Sequence, residues 1–201
     1  MNRKTLILIF VISAFGLRLQ AQGTLYLSNL GESGTGFVVG SGSQSFVTGT
    51  ASNGYALNYI TLFMGNMLDN ASNFNVLVYN DNGGQVGIPL GTLNGNNNPS
   101  TAGQYNYTAS NLVLTSNTTY WIVTTCDSSS PGNPLPPGGY TWKFTLSQNY
   151  SSSGNWSIGP GNVGFGGSVF QFAVNATPAP EPSVCALFGF GLTTILFRRR
   201  N

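Results

Sequence analysis

The sequence predicts an all-β fold: a single β-sandwich, jelly-roll-like, between an N-terminal signal helix and a short C-terminal transmembrane helix. Three observations predict it. Short runs of Val, Ile, Phe, Tyr, Trp and Thr alternate with polar residues at period two, the repeat of a strand with one apolar face. Clusters of Asn, Gly, Asp and Pro separate those runs, and these residues accept the backbone angles of tight turns. No apolar repeat of 3.6 residues is found outside the two ends of the chain.

Taken in order, short strands are expected at residues 24–27, 37–39 and 44–47. Residues 55–64 are apolar on both faces, as a central sandwich strand is. Phe74, Val76 and Val78 alternate in a strand ending at Tyr79, and Asn80-Asp81-Asn82-Gly83-Gly84 turns the chain after it. A further short strand precedes the loop Asn94-Gly95-Asn96-Asn97-Asn98-Pro99. Residues 105–109, 112–114 and 119–125 follow as strands. The stretch 131–139 holds four prolines and three glycines and cannot be a central strand. In 141–146, Trp142, Phe144 and Leu146 form an apolar face, and Thr141, Lys143 and Thr145 a wet one. Phe170, Phe172 and Val174 repeat the pattern in 169–174. Many short strands at such spacing indicate a sandwich.

The two ends divide the chain into 1–21, 22–177 and 178–201. Arg3 and Lys4 precede an apolar run over residues 6–15, the layout of a secretory signal, with cleavage expected after Ala21. An uncleaved N-terminal anchor is the other reading of that run. At the far end Pro180-Glu181-Pro182 leads into an uncharged segment ending at Phe197, followed by Arg198-Arg199-Arg200. Val184, Leu187, Phe188, Phe190, Leu192, Ile195, Leu196 and Phe197 supply its apolar character. As a helix, residues 183–197 would span roughly 22 Å, short for a hydrocarbon core of about 30 Å. Snorkelling arginines extend the reach and mark the cytoplasmic stop. A plain tail anchor, or a helix docked on the body, would use the same residues.

This three-part ending resembles the PEP-CTERM sorting signal of exported bacterial proteins, over residues 180–201. The resemblance implies passage through the export translocon and processing by an exosortase-type membrane protease near Pro180, Glu181 and Pro182. A second resemblance covers residues 25–174. Ser28-Asn29-Leu30, Ser45-Phe46-Val47-Thr48-Gly49, Tyr79-Asn80-Asp81-Asn82-Gly83-Gly84 and Thr118-Thr119-Tyr120-Trp121 look like the choice-of-anchor R domain. That family implies an extracellular β domain joined to varied C-terminal anchors, and it implies no catalytic residues.

Charge narrows the partners. The whole chain is +2, but residues 22–179 hold Lys143 against Glu32, Asp69, Asp81 and Asp127, a net charge of −3. A body with one cation cannot displace counterions from a phosphate backbone, which excludes nucleic acid, and it offers no anionic-membrane patch. The wealth of aromatic and β-branched residues excludes a disordered body.

Enzyme chemistry finds little purchase. Histidine is absent, so the commonest general base and metal ligand is missing. Cys126 reads as a small half-buried residue at a strand end, and Cys185 falls in the sorting segment, so the mature body has no disulfide. The four body carboxylates sit in turn-like stretches, and a glycan-active enzyme would need two of them paired. Asp81-Asn82-Gly83 offers oxygen ligands for calcium, yet Thr92 stands where the twelfth-position glutamate of an EF-hand would be. A hairpin turn explains the same residues. No cofactor is implied.

Carbohydrate binding needs exposed aromatic rings. Trp156, in a polar stretch, is the candidate, with Tyr105 and Tyr107 on one face of a short strand. Trp121 and Trp142 read as core. Six Asn-x-Ser/Thr sequons begin at Asn70, Asn106, Asn117, Asn149, Asn155 and Asn175, as chance provides in so Asn-rich a chain. The sequence therefore predicts an exported, non-enzymatic surface or matrix protein. The alternative is a carbohydrate-binding module acting on extracellular polysaccharide.

Overall fold

The computed structural model describes residues 23–33, 35–39, 42–68, 71–128, 139–161 and 168–180. The signal segment with Ala21, the carboxylate of Asp69, most of the Pro-rich stretch and everything from Glu181 to Asn201 lie outside the described residues.

The described chain is all-β. Its strands are β1 (Thr24–Ser28), β2 (Thr35–Val39), β3 (Gly42–Val47), β4 (Tyr55–Met64), β5 (Ala71–Asp81), β6 (Val86–Leu93) and β7 (Gly103–Thr108). There follow β8 (Val113–Leu114), β9 (Thr119–Ser128), β10 (Thr141–Thr145), β11 (Ser151–Ser152), β12 (Ser157–Gly161), β13 (Val169–Phe170) and β14 (Phe172–Pro178). Two antiparallel sheets pack face to face. The smaller runs β12-β3-β9-β5-β6. The larger runs β11-β1-β14-β4-β10-β13, with β7 and β8 also on β4 and β2 also on β10.

Period-two patterning builds the core between them. Phe74, Val76 and Val78 of β5, Tyr120 and Ile122 of β9, and Phe172 and Val174 of β14 are all buried. Trp142 stacks on Phe170 with ring centroids 4.1 Å apart. A second aromatic group joins Phe74 to Tyr107 and Tyr140. Each ring that size removes enough apolar surface from water to stabilise the fold by about 1.5–3 kcal/mol.

The apolar character of both faces of β4 has a geometric cause. Asn175 pairs with Tyr59, but Ala176 pairs with Leu57, so Asn58 is an extra residue. This β-bulge switches the core-facing set from Tyr55 and Leu57 to Ile60, Leu62 and Met64.

Of the wet face expected on β10, Lys143 alone is part-exposed. Thr141 and Thr145 are buried, whereas Leu146, expected on the apolar face, is 61% exposed beyond the strand's end. β10 is an interior strand with neighbours on both sides. Its threonine hydroxyls are satisfied by carbonyls: Thr141 Oγ1 donates to Asn66 O (2.9 Å) and Thr145 Oγ1 to Ser33 O (2.7 Å). The strand expected over 169–174 is also broken, at Gln171. Side-chain amides close the break. Asn29 donates to Phe170 O and accepts from Phe172 N, both at 2.8 Å. Gln44 accepts from Phe170 N at 2.9 Å and donates to Gly159 O at 2.7 Å. Gln171 donates to Glu32 O and accepts from Gly31 N. β11 and β12 carry too little apolar pattern to be read from sequence.

Candidate functional site

A groove of about 670 Å³ opens where β4 meets β7 and β8. Its origin is a mismatch in chain length. Between the pairs Tyr59↔Thr108 and Ala56↔Val113, residues 57–58 of β4 face residues 109–112. The surplus is Ser110-Asn111, and Asn111 takes a left-handed φ of 57° that asparagine tolerates better than most residues. The excursion is tied at both ends by backbone bonds, Ala109 N to Asn58 O (2.8 Å) and Leu112 O from Leu57 N (2.9 Å). The bulge at Asn58 faces β14 on the other side. Two irregularities thus coincide at one residue, and such irregularities re-aim side chains.

The orientation of Asn58 follows from a hydrogen-bond chain. Asn175 Nδ2 donates to Gly23 O, leaving Asn175 Oδ1 as an acceptor. Asn58 Nδ2 fills it at 2.8 Å and also donates to Thr177 Oγ1 at 3.0 Å. Both amide hydrogens are then spent. Asn58 Oδ1 has no hydrogen-bond partner among the described residues, and Asn58 is half-buried. Thr108 Oγ1 donates to Asn94 O (3.0 Å) and keeps its lone pairs. Tyr59, Ala56 and Val113 complete the walls. No residue of this lining is a carboxylate or a cation.

Of the aromatic residues singled out for sugar stacking, Trp156 requires correction. It is 1% exposed. Its ring stacks on Tyr26 (5.1 Å) and Phe46 (5.9 Å) and meets the edge of Tyr55 (4.9 Å), so no face remains for a ligand. Polar neighbours in sequence, Ser153 to Asn155 and Ser157, hid an indole that folds back into the core. Its Nε1 has no partner among the described residues. Tyr107 is likewise 1% exposed, with its hydroxyl donating to Asn96 O (3.1 Å) and pushed well above its ordinary pKa by burial. Tyr105 is half-buried, and its hydroxyl donates to Thr101 O (2.9 Å). The three rings do not gather into one site.

The described carboxylates are each engaged. Asp81 accepts from Trp121 Nε1 (2.7 Å) and Gly84 N (2.9 Å), and the Gly84 bond, with that of the indole, holds its pKa below the usual carboxylate range. Asp127 accepts from Asn73 (2.6 Å) and Glu32 from Ser147 (2.8 Å). Among the described residues no three His, Cys, Asp or Glu side chains gather around a point where one metal ion could sit. Burial raises the pKa of the Cys126 thiol, which disfavours the nucleophilic thiolate.

Sequence reasoning passed over Asn58, Tyr59, Thr108 and Asn111. One signal was present: Asn58 is the lone amide inside the long, largely apolar strand β4. Pro180, of the residues in the sorting motif, is described; it accepts a hydrogen bond from Asn53 Nδ2 at 3.4 Å. No protein-family model, no curated protein and no solved structure matches the chain.

Proposed function

We propose that this is an exported, surface-sorted bacterial protein of structural or adhesive role, without catalytic activity. The export translocon delivers it, an exosortase-type protease processes it near Pro180-Glu181-Pro182, and the apolar C-terminal segment holds the precursor in the membrane. The order β1-β14-β4-β7 over β3-β9-β5-β6 supports a jelly-roll-like body, because within that set the chain passes from one sheet to the other at every step except the β5–β6 hairpin.

The observation that carries the sorting reading is where the body ends. β14 stays paired to Pro178, opposite Tyr55. Ala179 N then donates to Gly54 O at 2.9 Å, and Pro180 is the next residue. The motif therefore begins as the sheet ends, at a fixed place on the body. Thr24 pairs with Ala176, so the chain enters at the same pole. A body with entry and exit together can be held at one pole while the other, near residues 65–68, faces outward. The engagement of Glu32, Asp81 and Asp127 in structural hydrogen bonds supports a non-enzymatic reading.

Intact mass of the mature protein, recovered from native cells and medium, tests this. Loss of residues 1–21 together with everything after about residue 182 is expected under sorting-signal processing. A mass that retains residues 184–201 would overturn processing and leave a tail-anchored protein.

A further inference from the structure

We propose that the groove at the Asn58 bulge is a binding site for a neutral saccharide. This goes beyond the sorting reading and does not depend on it, since the groove belongs to the folded body alone.

The chemistry of the walls selects the ligand class. The groove offers no charge, so an ionic ligand would lose its hydration without a counter-charge in return. Its polar groups are amide and hydroxyl. The Asn58 amide is turned to Asn175 and Thr177 of β14, which lie outside the lining, so the polar side chains left for a ligand are those of Thr108, Asn111 and Tyr59. Thr108 Oγ1 retains acceptor capacity after donating to Asn94 O. The amide of Asn111 and the hydroxyl of Tyr59 have no intramolecular partner among the described residues, and each can donate and accept. Sugar hydroxyls, which also do both, match that set. The Tyr59 ring and the side chain of Val113, 59% exposed, give the C–H faces of a pyranose something apolar to cover. The volume of about 670 Å³ falls within the range of small-ligand sites, about 300–1,000 Å³.

A peptide fits less well. Extended peptides bind by adding a strand to an unpaired edge. Here the backbone edge is closed, since Leu57 N and Asn58 O are both bonded to the 109–112 excursion.

The test is calorimetric titration of the full chain in detergent. The probes are maltohexaose, cellohexaose and mannohexaose, with hexagalacturonate and a neutral hexapeptide for comparison. At least one neutral hexasaccharide is expected to bind. Asn111→Gly removes the amide but keeps the left-handed backbone, so the fold should persist. It should weaken binding about fivefold to tenfold, the worth of one hydrogen bond. Tyr59→Phe keeps the ring and should lower affinity by a similar factor. Asn155→Gly, at another exposed left-handed asparagine outside the groove, should leave affinity unchanged. The proposal is overturned if no neutral oligosaccharide binds, or if both groove variants bind as the parent does. Preference for hexagalacturonate or the peptide would overturn it too.

Discussion

Two places in the larger sheet depart from regular pairing, and they end differently. At the β13–β14 break, Asn29 and Gln44 turn their amides onto the backbone groups of Phe170 and Phe172 that the break sets free, and Gln171 turns its own onto Gly31 and Glu32. All three are fully buried or nearly so. At the β4 bulge, Asn58 donates to Asn175 and Thr177 but leaves its side-chain carbonyl oxygen without a partner among the described residues. The same residue type therefore acts as an internal staple in one place and as an open contact in the other. What separates them is accounting of donors and acceptors: a closed set serves the fold, and an open set is free to serve a ligand.

Substitutions should follow that division. The largest loss is expected at the closed side. Trp156→Ala would empty an aromatic pocket formed by Tyr26, Phe46 and Tyr55 and cost about 3–5 kcal/mol. Chemical denaturation of the mature chain measures it. A loss below about 1 kcal/mol, the scale of a surface change, would return Trp156 to the surface where the sequence pattern had put it.

Next comes Asn29→Ala. It strands Phe170 O and Phe172 N in a buried setting and should cost about 2–4 kcal/mol. Asn58→Ala on the open side removes two part-buried hydrogen bonds, one to the buried Asn175 and one to the half-buried Thr177 at the margin of the sheet. About 1 kcal/mol is expected. Equal losses at Asn29 and Asn58 would erase the distinction between the two irregularities.

Much of the architecture was legible because it rests on patterns that sequence carries. The alternation of Phe74, Val76 and Val78, and the length of β4, follow from period two and from the turn residues that bound them. The bulge did not show. Its effect is to turn odd positions before Asn58 and even positions after it to the same core face, which in sequence reads as a strand buried on both sides. Thr141 and Thr145 misled in the same way: a hydroxyl predicts a wet face unless a distant carbonyl is known to be near it, and Asn66 and Ser33 are far along the chain. Trp156 failed for a related reason. Its burial depends on Tyr26 and Phe46, over a hundred positions earlier, not on its polar neighbours. The groove could not be foreseen because it arises from unequal chain lengths, 57–58 against 109–112, and only pairing reveals a surplus.

Asp81 extends the comparison to a charged group. Both its oxygens are occupied, one by Trp121 Nε1 and one by Gly84 N, so it belongs with the closed sets although it lies at the surface. Those bonds favour the ionised form and depress its folded pKa below the ordinary 3.8, with the Gly84 amide the larger cause. The sign follows. A carboxyl with a folded pKa below its unfolded one adds stability above the unfolded value and loses it as pH falls through the folded value. The melting temperature of the parent chain should therefore decline on acidification below the ordinary carboxylate range. Asp81→Asn keeps an acceptor for the indole but cannot titrate, so its melting temperature should fall less over the same interval. Because the group is exposed, the difference between the two curves is expected to be the smallest of these effects. Curves that run parallel through that interval would mean that the Asp81 bonds contribute nothing the solvent does not already supply.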